Sequence, residues 1–318
     1  MKSITPMKSI TPIAALCSLL VASAPATVLL NEPFSAADYA AGSVKSQMNN
    51  VATNGNVGFT YDRKWSASNT GVVFVHADGL DFGRKMPDFH GTGLSAGWNY
   101  KKNSSNGDGA RGVFRQTADG VIPRSGVYFF RCLARESSGA LWYGNKKWHR
   151  RVGFQQVGFD GSGNTTDYWV AYPSTGPNFS FEPKPTGNGY SAGASVLKFH
   201  FNDVDVTLVD PVVQGATYLC LAKIEIGAGA DGTDLASALI VPVDAWDWNG
   251  KGEPAWGVER GDTGWKLATT PYYGDKFQLY GAFETGSVPV AFDEVMLATE
   301  IADVVGPSPA KGTVILIK

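Results

Sequence analysis

Residues 127–135 read VYFFRCLAR, and this segment decides the fold class. Successive side chains of a β-strand point to opposite faces of the sheet. The even-numbered positions of the segment carry Tyr128, Phe130 and Cys132, whereas two arginines stand at odd-numbered positions. The alternation predicts a strand that turns its aromatic and thiol side chains into a core and its guanidinium groups outward.

A second segment, residues 218–226 (YLCLAKIEI), alternates in the same way and again places a cysteine on the core side. Cys132 and Cys220 can pair only if the two strands are neighbours or face each other at disulfide distance. An exported protein can form such a bond. Because both cysteines stand in apolar segments, buried free thiols are an equally good expectation.

The rest of the chain repeats this pattern without a convincing helical stripe. It has 38 glycines, 12% aromatic and only 18% charged residues, a composition that favours short strands and tight turns. Further strands are expected at residues 27–30, 71–77, 79–83, 112–116, 152–159, 168–171, 197–201, 204–209, 238–241, 277–283 and 290–297. No long polar linker divides them, so we expect an all-β chain that forms one two-sheet antiparallel jelly-roll sandwich of the concanavalin A-like type.

The N-terminus is typical of a secretory signal peptide. Lys2 and Lys8 precede an apolar run at residues 13–22, and small-x-small cleavage motifs follow it at residues 22–26. The run is shorter than the about 20 residues that a membrane span needs. We therefore expect a signal peptide at 1–26, a jelly-roll domain at 27–305 and a tail or edge strand at 306–318. The mature protein is expected to be secreted or at the cell surface, without a membrane span.

The charge distribution argues against a nucleic-acid partner. The formal net charge is −2, and removal of residues 1–26 takes away two lysines and no acidic residue. A nucleic-acid binder needs a concentrated basic surface. The one dense basic cluster, at residues 146–151, stands alone, and a solvated loop explains it.

Several motifs together resemble a known family. They are Glu32-Pro33-Phe34, GLDFG at 79–83, the 127–135 strand, GATYLCLAKI at 215–224, and FDEVMLAT at 292–299. Their order is similar to that of secreted concanavalin A-like, laminin-G-like jelly-roll proteins, many of which carry a PEP-CTERM sorting tag. The resemblance implies the fold and a binding or surface role, but no family-wide catalytic residue. The tag itself is absent from residues 306–318.

No pair of carboxylates predicts catalysis, although jelly rolls host glycoside hydrolases and polysaccharide lyases. A retaining hydrolase needs two carboxyl groups about 5–5.5 Å apart. Asp293 and Glu294 are adjacent and point to opposite faces, so we expect them to bond the backbone or an arginine. Asp203 and Asp205 share a face, which we expect to be turned to water. The four histidines are scattered, and His200 is expected to be a structural strand residue.

One loop offers a candidate calcium site. Asp160, Ser162, Asn164 and Asp167 supply oxygen ligands in a glycine-rich segment, which is the chemistry that calcium prefers. The loop lacks the central glycine and distal glutamate of an EF-hand. A solvated turn is the alternative, and we favour it.

The best candidate for ligand binding is an aromatic segment. Planar aromatic side chains stack on the C–H faces of sugars, while neighbouring polar groups bond the hydroxyls. The segment contains Trp246, Asp247, Trp248, Asn249 and Trp256. A second aromatic loop, with Trp142, Tyr143 and Trp148, is a weaker candidate, since most tryptophans of a sandwich serve packing.

These observations favour an exported, non-catalytic binding or surface/matrix protein whose ligand is a polysaccharide or cell-surface glycan. A polysaccharide-active enzyme on the same fold, either glycoside hydrolase or lyase, is the alternative. A purely structural exoprotein is a further alternative.

Overall fold

A computed structural model describes residues 28–34, 39, 42–43, 58, 66–67, 74–77, 79–83, 95–98, 110–118, 121, 123, 125–138, 150–155, 177–187, 189–201, 204–262, 276–282 and 290–306. The predicted signal peptide, the candidate calcium loop, the second aromatic loop, Asp203 and the end of the tail lie outside these residues. Within them, no helix is long and apolar enough to cross a membrane.

The regular secondary structure of the described residues is almost entirely β-strand. In chain order the strands are β1 (Val28–Glu32), β2 (Gly42–Ser43), β3 (Ser66–Ala67), β4 (Phe74–His76), β5 (Ser95–Trp98), β6 (Ala110–Gln116), β7 (Gly126–Glu136), β8 (Arg150–Gln155), β9 (Asn178–Thr186), β10 (Gly189–Phe201), β11 (Val204–Val209), β12 (Thr217–Ile226), β13 (Leu235–Pro242), β14 (Val258–Asp262), β15 (Lys276–Ala282) and β16 (Val290–Ala298). Single 3₁₀ turns occupy Ala230–Gly232 and Val243–Ala245, and a four-residue helix, α1, spans Ile301–Val304.

The strands form two antiparallel sheets. The first has the order β14-β13-β12-β7-β16-β5-β4-β2, with β1 also paired to β16. The second has the order β11-β10-β9-β8-β15-β6-β3. This is the predicted all-β, two-sheet jelly-roll sandwich.

The core between the sheets contains the side chains that the period-two pattern placed there. Phe130 of β7 is fully buried and packs against Phe154 and Phe179 of the second sheet, with ring centroids 5.1 and 5.5 Å apart. Ile224 of β12 is fully buried in the same core. Burial of such side chains contributes roughly 1.5–3 kcal/mol each, so this core holds the two sheets together.

The two cysteines meet the first condition for a disulfide. β7 and β12 are neighbours, and Cys132 and Cys220 are direct register partners. Both are buried free thiols in this structure. Burial raises the pKa of the Cys220 thiol well above its usual value, an effect that the neighbouring Cys132 increases. Because the structure contains both cysteines as free thiols, the disulfide between them stays a prediction.

The outer face of the first sheet carries a second hydrophobic cluster. Phe129, Leu133, Leu219, Leu221 and Met296 lie on this face, under a cover that includes Leu80, Phe82, Trp246, Trp248 and Val304. Arg131 belongs to the same face, as predicted, but the cover buries it completely instead of leaving it in water. Its Nη1 donates to Val304 O at 2.6 Å and its Nε to Glu294 O at 3.0 Å, so the guanidinium ties α1 to the sheet.

One strand prediction was wrong, and strand β9 was not predicted. Residues 79–83 are a loop in the described structure, in which Asp81 Oδ1 accepts a hydrogen bond from the Gly83 amide at 2.7 Å. β9 was missed because Pro183 and Pro185 argue against a central strand. Among the described residues, β8 pairs with β9 from Asn178 to Phe181, whereas both prolines lie beyond that range, where the pairing is with β10.

Candidate active site

The predicted aromatic platform is buried. Trp246 and Trp248 are only 4% and 7% exposed, and their rings pack together with centroids 6.0 Å apart in the second cluster. Trp246 Nε1 donates to Gly306 O at 3.2 Å. A sugar ring cannot stack on indoles whose faces are already covered, so these two residues serve packing and not the predicted ligand contact.

The polar members of that segment and its last tryptophan remain accessible. Asp247 and Asn249 are exposed, and Asn249 Oδ1 accepts a hydrogen bond from the Lys251 amide at 2.9 Å. Trp256 is half-buried, and its Nε1 donates to Glu253 Oε2 at 2.8 Å. Of the three tryptophans, Trp256 alone keeps solvent access.

Asp293 and Glu294 bond the backbone and an arginine, as expected, but both lie on the outer face of the first sheet instead of on opposite faces, because the strand register shifts between Asp293 and Met296. Asp293 Oδ2 accepts a hydrogen bond from the Leu80 amide at 2.8 Å, and Glu294 Oε2 lies 3.5 Å from Arg131 Nη2. Burial and the neighbouring Glu294 charge raise the pKa of Asp293 well above its usual value. This pair anchors loop 79–83 and the buried arginine to β16.

Ionisable side chains converge instead on the outer face of the second sheet. Phe179 and Phe181 of β9 point into the core, as do Phe199 and Phe201 of β10. The residues between them must therefore point outward. The resulting set, which we call the acid–base cluster, comes from β8, β9, β10 and β11 and consists of Arg151, Ser180, Glu182, Lys198, His200 and Asp205.

Glu182 is the centre of the acid–base cluster. Its Oε1 lies 3.2 Å from Ser180 Oγ, 3.2 Å from His200 Nε2 and 3.5 Å from an Arg151 nitrogen. Its Oε2 lies 3.2 Å from Lys198 Nζ. Burial alone would raise the pKa of Glu182, but His200, Lys198 and Arg151 together hold it well below its usual value. Glu182 is therefore a fixed anion at neutral pH.

His200 is a neutral imidazole in this environment. Burial lowers its pKa below 6.5, even though Glu182 and Asp205 act in the opposite direction. Nε2 lies 2.7 Å from Ser180 Oγ and 3.2 Å from the ionised Glu182, so Nε2 carries the proton and donates a hydrogen bond. Nδ1 then keeps its lone pair, because Asp205 Oδ1 is 3.8 Å away and beyond hydrogen-bonding distance.

Lys198 occupies the position that a cation would take in the acid–base cluster. Single donor atoms of Glu182, His200 and Asp205 lie within 4.8 Å of one another, a donor set suited to a metal ion. Lys198 Nζ lies 3.2 Å from Glu182 and 3.1 Å from Asp205. Burial lowers the pKa of Lys198, but these two carboxylates raise it above its usual value. The protein thus supplies its own cation between the carboxylates.

Sequence reasoning missed the acid–base cluster although it noticed three of its members. His200 was expected to be a structural strand residue and Asp205 to face water. Arg151 was expected in a solvated loop, but Arg150 and Arg151 are buried on β8. Ser180 and Glu182 were not considered, because β9 was not predicted. The signal was the alternation FSFE at residues 179–182 beside FHF at 199–201, which places polar groups of neighbouring strands on one outer face.

Comparisons with known proteins find only distant similarity to solved structures. No family profile and no curated protein matches the chain. Among solved structures, a carbohydrate esterase from the Shiga toxin-encoding bacteriophage phi24B has a TM-score of 0.42 at 13% identity, covering 86% of this chain and 98% of the other. An endo-beta-1,4-glucuronan lyase from the fungus Trichoderma reesei has a TM-score of 0.43 at 17% identity, covering 79% and 97%. A GH131 beta-glucanase catalytic domain from Podospora anserina has a TM-score of 0.44 at 12% identity, covering 85% and 95%. Likeness at this level says nothing about the activity of this chain.

Proposed function

We propose that this chain is an exported polysaccharide-active enzyme whose active site is the acid–base cluster. The observation that carries the proposal is the contact of 3.2 Å between His200 Nε2 and the buried Glu182 carboxylate, beside the cations of Lys198 and Arg151. A neutral imidazole with a free lone pair is a general base at neutral pH. The non-catalytic binding protein that the sequence favoured becomes the alternative.

The reaction that suits these groups best is β-elimination on an acidic polysaccharide. His200 Nδ1 removes the proton next to the carboxylate of a uronate residue. The C–H electron pair forms a carbon–carbon double bond, the bond to the glycosidic oxygen breaks, and that oxygen takes up a proton from solvent water. His200 then loses the proton it removed to the resulting hydroxide. Lys198 and Arg151 stabilise the negative charge that grows on the uronate carboxylate in the transition state.

Hydrolysis by a pair of carboxyl groups suits the acid–base cluster less well. Such a hydrolase keeps one carboxyl group protonated as the acid. Glu182 has a strongly lowered pKa and cannot take that part. Lys198 Nζ lies between Glu182 and Asp205, in the space that a scissile glycosidic oxygen would need.

Ester hydrolysis is a second candidate, favoured by the contact of 2.7 Å between Ser180 Oγ and His200 Nε2. A serine nucleophile needs the Nε2 lone pair and an acid that bonds Nδ1. The distance of 3.8 Å between Nδ1 and Asp205 argues against this chemistry. Elimination is therefore the leading proposal.

Turnover of a substrate panel tests the proposal. The mature chain is incubated with alginate, polyglucuronate, pectate and acetylated xylan, and unsaturated uronate, reducing ends and acetate are measured. We expect unsaturated uronate from at least one acidic polymer, lowered on the order of 10²–10⁴-fold in His200→Asn. Ser180→Ala separates the two chemistries, because it abolishes ester hydrolysis but leaves the base for elimination in place.

Lys184→Ala provides the matched control. Lys184 is on β9 next to the acid–base cluster, is 38% exposed at its side chain and pairs with Asp210 at 2.6 Å. Its variant is expected to keep full turnover. If no polymer in the panel is turned over, or if His200→Asn retains full turnover, the proposal is wrong.

A further inference from the structure

A loop between β13 and β14 brings an aromatic side chain over the outer face of the first sheet. Trp246 and Trp248 anchor the start of this loop in the second cluster. The chain then reverses direction at Gly250 and Gly252, whose φ angles of 80° and 61° are typical of glycine. The reversal places Trp256 beside the outward-facing side chains of β12.

A continuous chain of contacts joins five side chains there. Glu253 accepts hydrogen bonds from Trp256 Nε1 at 2.8 Å and from Lys223 Nζ. Lys223 Nζ also lies 3.5 Å from Glu225 Oε1. Glu225 Oε2 lies 3.0 Å from Arg260 Nε. The backbone N–H of Arg260 donates a hydrogen bond to Ser237 Oγ at 2.8 Å. We call the set Lys223, Glu225, Glu253, Trp256 and Arg260 the edge patch.

The edge patch differs from ordinary surface ion pairs in its aromatic member. Exposed ion pairs alone contribute little to stability and need no ligand to explain them. Trp256, however, packs partly on the second cluster and keeps the rest of its ring in contact with solvent. Glu253 fixes the orientation of the indole before any ligand arrives, which lowers the entropy lost on binding.

We propose that the edge patch binds a pyranose unit of a polysaccharide. The free part of the indole stacks on the C–H face of the sugar ring. The carboxylate oxygens of Glu253, whose side chain is 43% exposed, have lone pairs left for sugar hydroxyls, and Arg260, 54% exposed at its side chain, has terminal N–H groups to donate. Aromatic, acceptor and donor groups thus lie together, as saccharide recognition requires.

This binding site goes beyond the proposed function because it needs no catalysis. The edge patch lies on the outer face of the first sheet, whereas the acid–base cluster lies on the outer face of the second. A polymer held at the edge patch leaves the acid–base cluster free. The two sites can therefore fail or succeed independently.

Native affinity electrophoresis tests the edge patch. The mature chain is run in gels that contain soluble β-glucan, xylan, galactan or alginate. We expect retardation by at least one polymer, with Kd raised about tenfold or more in both Trp256→Ala and Arg260→Ala. Arg260→Ala keeps the test valid if Trp256→Ala fails to fold, because the Arg260 side chain is mostly exposed.

Two controls separate this proposal from the proposed function. Lys251→Ala removes an exposed charge from the same loop, outside the edge patch, and is expected to bind normally. His200→Asn is expected to bind normally while losing turnover. The edge-patch proposal is overturned if no polymer retards the chain, or if Arg260→Ala leaves retardation unchanged.

Discussion

Replacement of Trp246 by alanine distinguishes a packing role from a sugar-binding role. Trp246 is 4% exposed, contacts the Trp248 ring and donates a hydrogen bond to Gly306 O. Removal of a buried tryptophan side chain costs about 3–5 kcal/mol, since the surrounding residues fill the cavity only in part. The variant is therefore expected to lose about 3–5 kcal/mol in the free energy of unfolding.

Urea unfolding followed by tryptophan fluorescence and circular dichroism measures this loss. The midpoint should fall while the slope with urea stays constant, which shows that stability alone has changed. Lys251→Ala, an exposed change in the same loop, is the control and should stay within about 0.5 kcal/mol of the parent. A loss below about 1 kcal/mol in Trp246→Ala, together with lost polysaccharide binding, would refute the packing role.

Three further predictions concern buried polar groups. Arg131→Met should lower the free energy of unfolding by about 3–5 kcal/mol, because it leaves a buried carboxylate without its partner; a loss under about 1 kcal/mol in urea unfolding would contradict this. The folded-state pKa values of Glu182 and His200 lie below their unfolded values of 4.5 and 6.5. The free energy of unfolding should therefore fall as the pH drops below 6.5, and fall again below 4.5. Tm measured against pH should show both losses, and a Tm that is constant from pH 7 to pH 4 would contradict them. We predict that Cys132 and Cys220 form a disulfide when the chain is exported through an oxidising compartment, with the two thiol hydrogens passing to a disulfide oxidant. Intact-mass analysis after thiol alkylation checks this prediction. Two alkylated thiols would contradict it.

The two-sheet architecture could be predicted because the alternation of core and outward side chains is visible within short segments of the sequence. The alternation in residues 127–135 and 218–226 predicts which side chains enter the core, since a strand fixes side-chain direction locally. The alternation does not show whether the face of the strand opposite the core is exposed to water or covered by other residues. Leu133, Leu219 and Leu221 stand at outward positions, and in retrospect they indicate the covered face that buries Trp246 and Trp248.

The acid–base cluster could not be predicted because its geometry depends on strand register. Ser180 and His200 are twenty residues apart, and their contact exists only because β9 and β10 pair in one particular alignment. Because Pro183 and Pro185 argue against a strand, β9 was not predicted, and Glu182 could not be placed 3.2 Å from His200 Nε2. Once the register of β9 and β10 is known, the two-residue period of a strand predicts which side chains share the outer face.

The most direct test of the account is the pH dependence of kcat/KM on the polysaccharide that the chain turns over best. With His200 as the base, kcat/KM should rise with pH along a limb whose pKa lies below 6.5, and His200→Asn should remove both the limb and most of the rate. A full rate in His200→Asn, with the limb unchanged, would contradict the assignment of the acid–base cluster as the active site.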